Sequence, residues 1–419
     1  MIWRLGYRLL LWLLFPWALV HLWWRGRRQP GYREHIAERF GWYRVRPARP
    51  VIWLHAVSVG ETRAAEPLVR ALAARYPGHE LLLTQMTPTG RETAQQLFGD
   101  TATIVYLPYD YPGAVARFLA RFKPRLGIIM ETEIWFHLVA GCARMGVPLL
   151  LANARMSEKS ARGYELAAPL TRAALGRMAA VGAQSREDAA RLERLGARGV
   201  EVTGNLKFDV VPAPRLLALG AELRQRIGRR PVLLAASTRE GEEELVLDAL
   251  AQIRTEGLLL LLVPRHPQRF DEVAALLERR ELSYLRRSEK REVPPDCRVL
   301  LGDSMGEMAA YYAACDLAFI GGSLLSYGGQ NLIEACAVCR PLLFGPHMHN
   351  FAEASRLALE AGAAAEVADA VMLGERAGQL LSEPAALKRM AQAALAFSGA
   401  HRGATARSLA ICKRLLRER

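Results

Sequence analysis

Metal-binding and disulfide-forming patterns are nearly absent from this sequence. Its six cysteines are scattered, mostly through apolar segments, and the Cys336/Cys339 pair has neither a second CxxC nor a histidine pair nearby. We interpret them as buried thiols of a reducing compartment, not as zinc ligands or a disulfide framework. The chain also lacks a D-x-D motif, and His347 and His349 are spaced too closely to share one helical face. We therefore expect neither a metal site nor a cofactor.

Acidic residues are in deficit. Lysine and arginine number 56 against 42 aspartates and glutamates, which gives a net charge of +14. The basic residues are spread along the chain, without the dense runs and interleaved aromatic residues that are typical of nucleic-acid binders. The charge by itself leaves DNA, RNA, an anionic lipid surface and a phosphorylated substrate open as partners; the N-terminal segment decides for a membrane surface, with no nucleic acid.

A fully spanning apolar segment is also missing at the N-terminus. Only sixteen residues without formal charge, rich in Leu and Trp, separate Arg8 from Arg25. That is short of the roughly 20 residues that cross a bilayer, and no small-residue cleavage site follows. We expect residues 1–28 to be an anchor that either spans the membrane or lies in its interface. The basic cluster after it predicts a cytoplasmic location for the remaining chain.

From residue 50 onward, apolar strand patterns alternate with helical patterns, as in open parallel sheets. The predicted organisation is an α/β fold of two Rossmann-like, doubly wound domains that face a central cleft. Their expected bounds are 29–210 and 231–395, with a linker and connecting helix at 211–230 and a helical tail at 396–419. In such sheets, ligands bind beyond the carboxyl ends of the strands.

A glycine-rich stretch in the second domain points to a phosphate site. The apolar strand Leu317–Ile320 leads into a loop with four glycines at 321, 322, 328 and 329, and a helix is predicted to begin at Asn331. Small residues allow close approach of a ligand to the backbone, and a helix N-terminus offers free N–H groups. We favour an anion site here over a simple tight turn.

Candidate residues follow three strands of the first domain. Glu61 lies behind a Ser-Val-Gly turn, where it is either a general base or an ordinary first-turn helix acid. Glu131 and Glu133 follow the strand RLGIIM, and Lys207 follows the last strand. A lysine in that position can bind a phosphate or a leaving group.

The second domain offers similar positions after its strands. Arg265 can bind a phosphate through its guanidinium, whereas His266 is equally suited to capping a turn. Gly306 and Glu307 come at another helix start. The Asn331/Glu334 spacing fits a capping box, and a carboxylate there can also accept ribose hydroxyl groups.

Seven motifs extend over essentially the whole chain: WLHAVSVGET at 53–62, TPTG at 87–90, ETEIW at 131–135, GNLKFD at 204–209, VPRHPQRF at 263–270, DSMGEM at 303–308 and GGSLLSYGGQNLIEA at 321–335. These motifs, in this order, resemble those of the 3-deoxy-D-manno-octulosonic acid (Kdo) transferases of Gram-negative bacteria.

The resemblance implies a GT-B glycosyltransferase on the cytoplasmic face of the bacterial inner membrane. It would transfer Kdo from CMP-Kdo to a lipid A precursor in an inverting, metal-independent reaction, as a step of lipopolysaccharide synthesis. Glu61 would be the general base, and Glu131 and Lys207 would stabilise the transition state. The residues that would bind CMP are Pro264, Arg265, Met305, Gly306, Glu307, Asn331, Leu332, Ile333 and Glu334.

The family commonly has other residues where this chain has Leu332 and Ile333, which leaves backbone contacts to CMP possible at these positions. Two further interpretations remain open. One is a membrane-associated GT-B transferase with a UDP-sugar donor, and the other is a non-catalytic nucleotide-sugar-binding membrane protein. The latter has no need for a carboxylate at position 61.

Overall fold

The structure is a computed structural model that describes residues 2–209 and 211–417 of the chain. It divides into two compact units. The first comprises the described residues of Met1–Asp209 and Arg402–Arg419, and the second those of Val210–His401.

The first unit is built around a seven-stranded parallel sheet of order β3-β2-β1-β4-β5-β6-β7. Its strands are β1 Val51–His55, β2 Glu80–Gln85, β3 Ala102–Tyr106, β4 Leu126–Met130, β5 Leu149–Ala154, β6 Ala180–Ala183 and β7 Val200–Val202. Its helices are α1 Ile2–Arg28, α2 Ile36–Arg39, α3 Val59–Arg75, α4 Pro88–Phe98, α5 Pro112–Phe122, α6 Phe136–Arg144, α7 Glu158–Glu165, α8 Ala168–Leu175 and α9 Arg186–Arg194.

The second unit repeats this plan with the strand order β10-β11-β9-β8-β12-β13-β14, again parallel. Its strands are β8 Val232–Thr238, β9 Leu259–Pro264, β10 Tyr284–Arg286, β11 Val299–Leu301, β12 Leu317–Ile320, β13 Leu342–Phe344 and β14 Ala364–Glu366. Its helices are α10 Pro214–Ile227, α11 Glu242–Gln252, α12 Phe270–Arg279, α13 Met308–Ala314, α14 Ile333–Ala337, α15 Ala352–Glu360, α16 Ala370–Ser382 and α17 Pro384–His401.

Helices cover both faces of each sheet, which explains the composition of the central strands. β4 and β5 are buried along their whole length and consist almost entirely of apolar residues. Strands that are buried on both sides read as continuous apolar runs, because neither face meets water. The prediction of two parallel α/β domains is confirmed, whereas the central cleft stays a prediction.

The last helix, α18 (Ala404–Arg417), belongs to the first unit and packs against α3. The Asp209 carboxylate accepts hydrogen bonds from the backbone N–H groups of Gly403, at 2.6 Å, and Thr405. The predicted tail at 396–419 is therefore divided, since α17 ends within the second unit. The helix of the predicted linker, α10, packs against α13 of that same unit.

Helix α1 contains Pro16 and packs on the first unit by polar contacts as well as apolar ones. The Tyr7 hydroxyl donates to the Asp110 carboxylate at 2.9 Å, and the Tyr111 hydroxyl donates to the Leu11 carbonyl oxygen at 2.8 Å. None of the helices within residues 2–209 and 211–417 has both the length and the apolar character needed to cross a membrane. Attachment of α1 to a membrane stays a prediction.

Candidate active site

The strand order of the first sheet reverses between the neighbours β1 and β4. At such a point the two following connections run to opposite sides of the sheet and leave a crevice at the carboxyl edge, where ligands bind in open α/β folds. The connection after β1 carries Glu61, and the connection after β4 carries Glu131. Two predicted site residues thus lie at the position that the topology favours.

Glu61 serves as a capping residue of α3. Its Oε2 accepts a hydrogen bond from the Val57 N–H at 2.7 Å, and its Oε1 accepts one from the Ser58 hydroxyl at 3.2 Å. Ser58 in turn is the N-cap that accepts from the Glu61 N–H. Glu61 therefore lies in the first turn of α3 and stabilises the start of that helix, as one of its two interpretations predicts.

The electrostatics of Glu61 also suit a base. Burial raises the pKa of its carboxyl from 4.5 to about 7; the Val57 N–H opposes this shift, and the charges of Glu131 and Glu133 add to it. A group with a pKa close to the working pH can both take up and release a proton. Capping and proton transfer are compatible, because one carboxylate has lone pairs for both.

Glu131 and Lys207, 76 positions apart in the sequence, lie close together at the same edge of the sheet. The Lys207 Nζ lies 3.9 Å from Glu131 Oε1, and both side chains are partly exposed, at 38% and 25%. Glu131 adopts a left-handed backbone with φ of +57°. That conformation costs a non-glycine residue about 1–3 kcal/mol and is concentrated at functional sites. Burial also raises the pKa of Glu133, with a further contribution from Glu131.

A polar network that the sequence did not reveal positions Lys207. Asn153, fully buried in β5, accepts from the Leu206 N–H at 2.9 Å through Oδ1, and its carbonyl oxygen accepts from Gln184 Nε2 at 2.9 Å. Gln184 accepts from Asn205 Nδ2 at 3.0 Å, and Asn205 Oδ1 accepts from the Lys207 N–H at 3.0 Å. The signal available in the sequence was an asparagine inside an apolar strand run.

In the second unit the reversal lies between β8 and β12. Here the glycine-rich loop departs from expectation. The N–H groups of Gly322, Ser323 and Leu324 donate to the carboxylate of Glu242 at 2.5, 3.0 and 3.1 Å. Glu242 is fully buried. These three donors already bind an anion of the chain itself, so the prediction that this part of the loop binds phosphate is wrong.

The predicted CMP-binding residues follow β9, β11 and β12, whose carboxyl ends lie along one edge of the sheet. Pro264 is the buried last residue of β9, and the Arg265 N–H donates to the Thr238 carbonyl oxygen at 3.0 Å. Met305 is 53% exposed, and Gly306 has a φ of +78° that suits glycine.

Glu307, next to these residues, accepts a hydrogen bond from the Ser304 hydroxyl at 2.6 Å. Its Oε2 also lies 3.5 Å from the Nε of Arg287. Both contacts hold the carboxylate at the start of α13, as expected for an acid at a helix N-terminus.

The stretch from Asn331 to Glu334 forms a local cap. Asn331 Oδ1 accepts from the Ile333 N–H at 3.1 Å, and its Nδ2 donates to Glu334 Oε1 at 2.9 Å. The helix begins at Ile333 and has only five residues, so it starts later than predicted. The side chains of Leu332 and Ile333 are buried. These two residues can offer a ligand only their backbone.

Within the described part of the chain, no three His, Cys, Asp or Glu side chains are grouped closely enough to hold a metal ion.

Comparison with known proteins agrees with these motifs. The family model described as 3-deoxy-D-manno-octulosonic-acid transferase (Kdo transferase) matches residues 34–210. A 3-deoxy-D-manno-octulosonic acid transferase of Bordetella pertussis is 46% identical, over 94% of this chain and 95% of the relative. One of Haemophilus influenzae is 36% identical, over 98% of both.

Among solved structures, a glycosyltransferase from Rickettsia africae superposes with a TM-score of 0.55 at 13% identity, over 88% of this chain and 99% of the other. At that identity the likeness is one of fold. The two transferases of Bordetella and Haemophilus, by contrast, share over a third of their residues with this chain along nearly its full length. The chain therefore belongs to the family of 3-deoxy-D-manno-octulosonic acid transferases.

Proposed function

We propose that this protein transfers Kdo from CMP-Kdo to a hydroxyl group of a lipid A precursor, with inversion and without a metal ion, in lipopolysaccharide synthesis. Family membership supports the transferred sugar. The observation that carries the mechanism is Glu61, a carboxyl group with a pKa of about 7 at the topological switch point of the first sheet. The first domain would take the acceptor and the second the donor.

In the proposed reaction, ionised Glu61 removes the proton from the acceptor hydroxyl. The oxygen attacks the anomeric carbon of Kdo while the bond from that carbon to the phosphate oxygen breaks, and CMP leaves with the bonding electrons. Glu131 carries negative charge near the developing positive charge of the sugar, and Lys207 holds this carboxylate in place. Stabilising charge that appears only in the transition state lowers the barrier directly.

The leaving group requires positive charge on the donor side. Arg265 supplies a guanidinium that can bind two phosphate oxygens at once. The Asn331–Glu334 cap offers the backbone of Leu332 and Ile333 and an acceptor for ribose hydroxyl groups. We assign Met305, Gly306 and Glu307 to the nucleotide as well, since they lie on the same sheet edge.

Helix α1 would hold the protein on the cytoplasmic face of the inner membrane by lying in the interface. Trp12, Leu13 and Trp17 are 54%, 77% and 61% exposed, which is unusual for such large apolar side chains. Tryptophan favours the headgroup region, and the nearby Arg25 and Arg27 would meet anionic lipids. Enzyme and lipid acceptor would then share one surface.

The test is transfer from CMP-Kdo to the tetraacylated lipid A precursor by detergent-solubilised protein in excess EDTA, with products measured by mass spectrometry. We expect mass increments of whole Kdo units that the chelator does not reduce. Parallel reactions with UDP-sugars test the alternative donor. Product from a UDP-sugar alone, or CMP binding without any transfer, would refute the assigned reaction.

A further inference from the structure

In addition to Arg265, which follows β9, a second arginine lies beside the residues assigned to CMP, at the switch point of the second sheet between β8 and β12. β8 ends at Thr238, and Arg239 is the first residue of the connection that follows it. β12, the strand across the reversal, leads into Gly322, whose added Cβ would lie 3.4 Å from Arg239 Cγ and 3.2 Å from Gln330 Nε2. Arg239 is therefore packed against the loop that leads to Asn331.

Two contacts orient the guanidinium of Arg239. Its Nη1 lies 2.7 Å from His266 Nε2, and its Cζ lies 4.7 Å from the centre of the Tyr327 ring. Arginine can only donate hydrogen bonds, so His266 Nε2 must accept, and the imidazole is neutral with its proton on Nδ1. Burial and the surrounding arginines lower the pKa of His266, which agrees with this tautomer. Neither contact neutralises the charge of Arg239.

The neighbouring Arg269 provides a contrast. Its Nη1 lies 2.8 Å from both carboxylate oxygens of Glu243, and its Nε lies 3.2 Å from Glu272. No described carboxylate forms an ion pair with Arg239, which is only half-buried. Of these two guanidinium groups, only that of Arg239 is oriented by neutral groups and left without a counter-charge.

We infer that Arg239 binds an anionic group of the sugar-nucleotide donor and that His266 and Tyr327 are positioning residues for it. The inference rests on the proposed function, because that donor brings two anionic groups to one carbon: the phosphate that leaves and the carboxylate of the sugar acid. With Arg265 assigned to the phosphate, Arg239 is placed to take the carboxylate. It would thereby select an acidic sugar over a neutral one.

The experiment compares Arg239→Ala and Arg239→Lys with the wild type by calorimetric titration of CMP and of CMP-Kdo, which needs no turnover. Losing a hydrogen bond between charged groups should weaken CMP-Kdo binding by about tenfold or more. Lysine should restore part of it, since it keeps the charge. If CMP binding stays within about twofold of wild type, the carboxylate is the group bound; an equal loss for CMP identifies the phosphate.

Arg254→Ala is the matched control, because this exposed arginine precedes β9, at the opposite edge of the same sheet. It removes the same charge and should leave both affinities unchanged. Thermal unfolding of each variant checks folding. Unchanged CMP-Kdo binding by folded Arg239→Ala would overturn the inference while wild-type transfer still stood, whereas an inactive wild type that binds the donor through Arg239 would overturn only the proposed reaction.

Discussion

The substitution Glu61→Gln separates the two roles of this side chain. Glutamine keeps one acceptor oxygen for the Val57 N–H, which lies 2.7 Å from the carboxylate, so the cap of α3 survives in part. It cannot take up a proton. The variant should therefore fold and bind CMP-Kdo yet fail to activate the acceptor hydroxyl.

The expected magnitudes follow from the environment of Glu61. A positioned general base contributes about 100- to 10,000-fold to the rate, or about 3–5 kcal/mol of barrier. The loss of one hydrogen bond to the cap costs about 1 kcal/mol of folding stability. With a pKa of about 7, the ionised fraction, and with it the wild-type rate, should rise about tenfold between pH 6 and pH 8. The residual rate of the variant should not depend on pH in this range.

The assay is initial-rate Kdo transfer by mass spectrometry across that pH range, with CMP-Kdo affinity measured alongside. Asp188→Asn is a matched control, because Asp188, like Glu61, is a first-turn acid that accepts a hydrogen bond from the N-cap serine of its helix, α9. It accepts from the Met156 N–H at 2.7 Å and from the Ser185 hydroxyl at 2.8 Å. A loss of activity in both variants would indicate a capping role alone. Glu61→Gln with more than a tenth of wild-type turnover would remove this residue from the mechanism.

Three further outcomes are expected. Folding raises the pKa of Glu61, so the protonated side chain stabilises the folded state fully below about pH 4.5, and this stabilisation is lost as the pH rises to about 7. In chemical denaturation, the free energy of unfolding of the wild type should therefore fall relative to that of Glu61→Gln as the pH rises through this range. Asn153→Ala should lower kcat by about tenfold with little change in the KM for CMP-Kdo, because the bond to the Leu206 N–H that positions the lysine turn is lost. Asn153→Gly, which suits the φ of +52° but lacks the amide, should stay equally slow, and recovered turnover would mean that backbone conformation alone matters. Trp17→Ser should bind anionic vesicles less than the wild type in flotation, whereas the control Leu166→Ser, at an 83% exposed residue outside α1, should bind as the wild type does. Equal binding by the wild type and both variants would contradict an interfacial α1.

Local patterns were sufficient to predict most elements of this fold. Apolar runs such as Leu126–Met130 predicted buried strands, and Glu61 behind the Ser-Val-Gly turn fitted the first turn of a helix, where the structure has it. These features depend on neighbours in the chain, through backbone geometry and hydrogen bonds within one turn. For the same reason the sequence indicated that Glu61 follows a strand of a parallel sheet, and that Asn331 and Glu334 form a cap.

Tertiary structure alone decided how the sites are completed. Strand order brings Glu131 to the side of Lys207, and the buried Asn153 reaches Leu206 from 53 positions away. The amide groups of the glycine-rich loop are occupied by Glu242, about 80 positions earlier in the chain, in place of an external phosphate. Pairings of this kind depend on how whole helices and strands pack and on the need of buried polar groups for hydrogen-bond partners. Local sequence patterns predict neither of these, because the partners are distant in the chain.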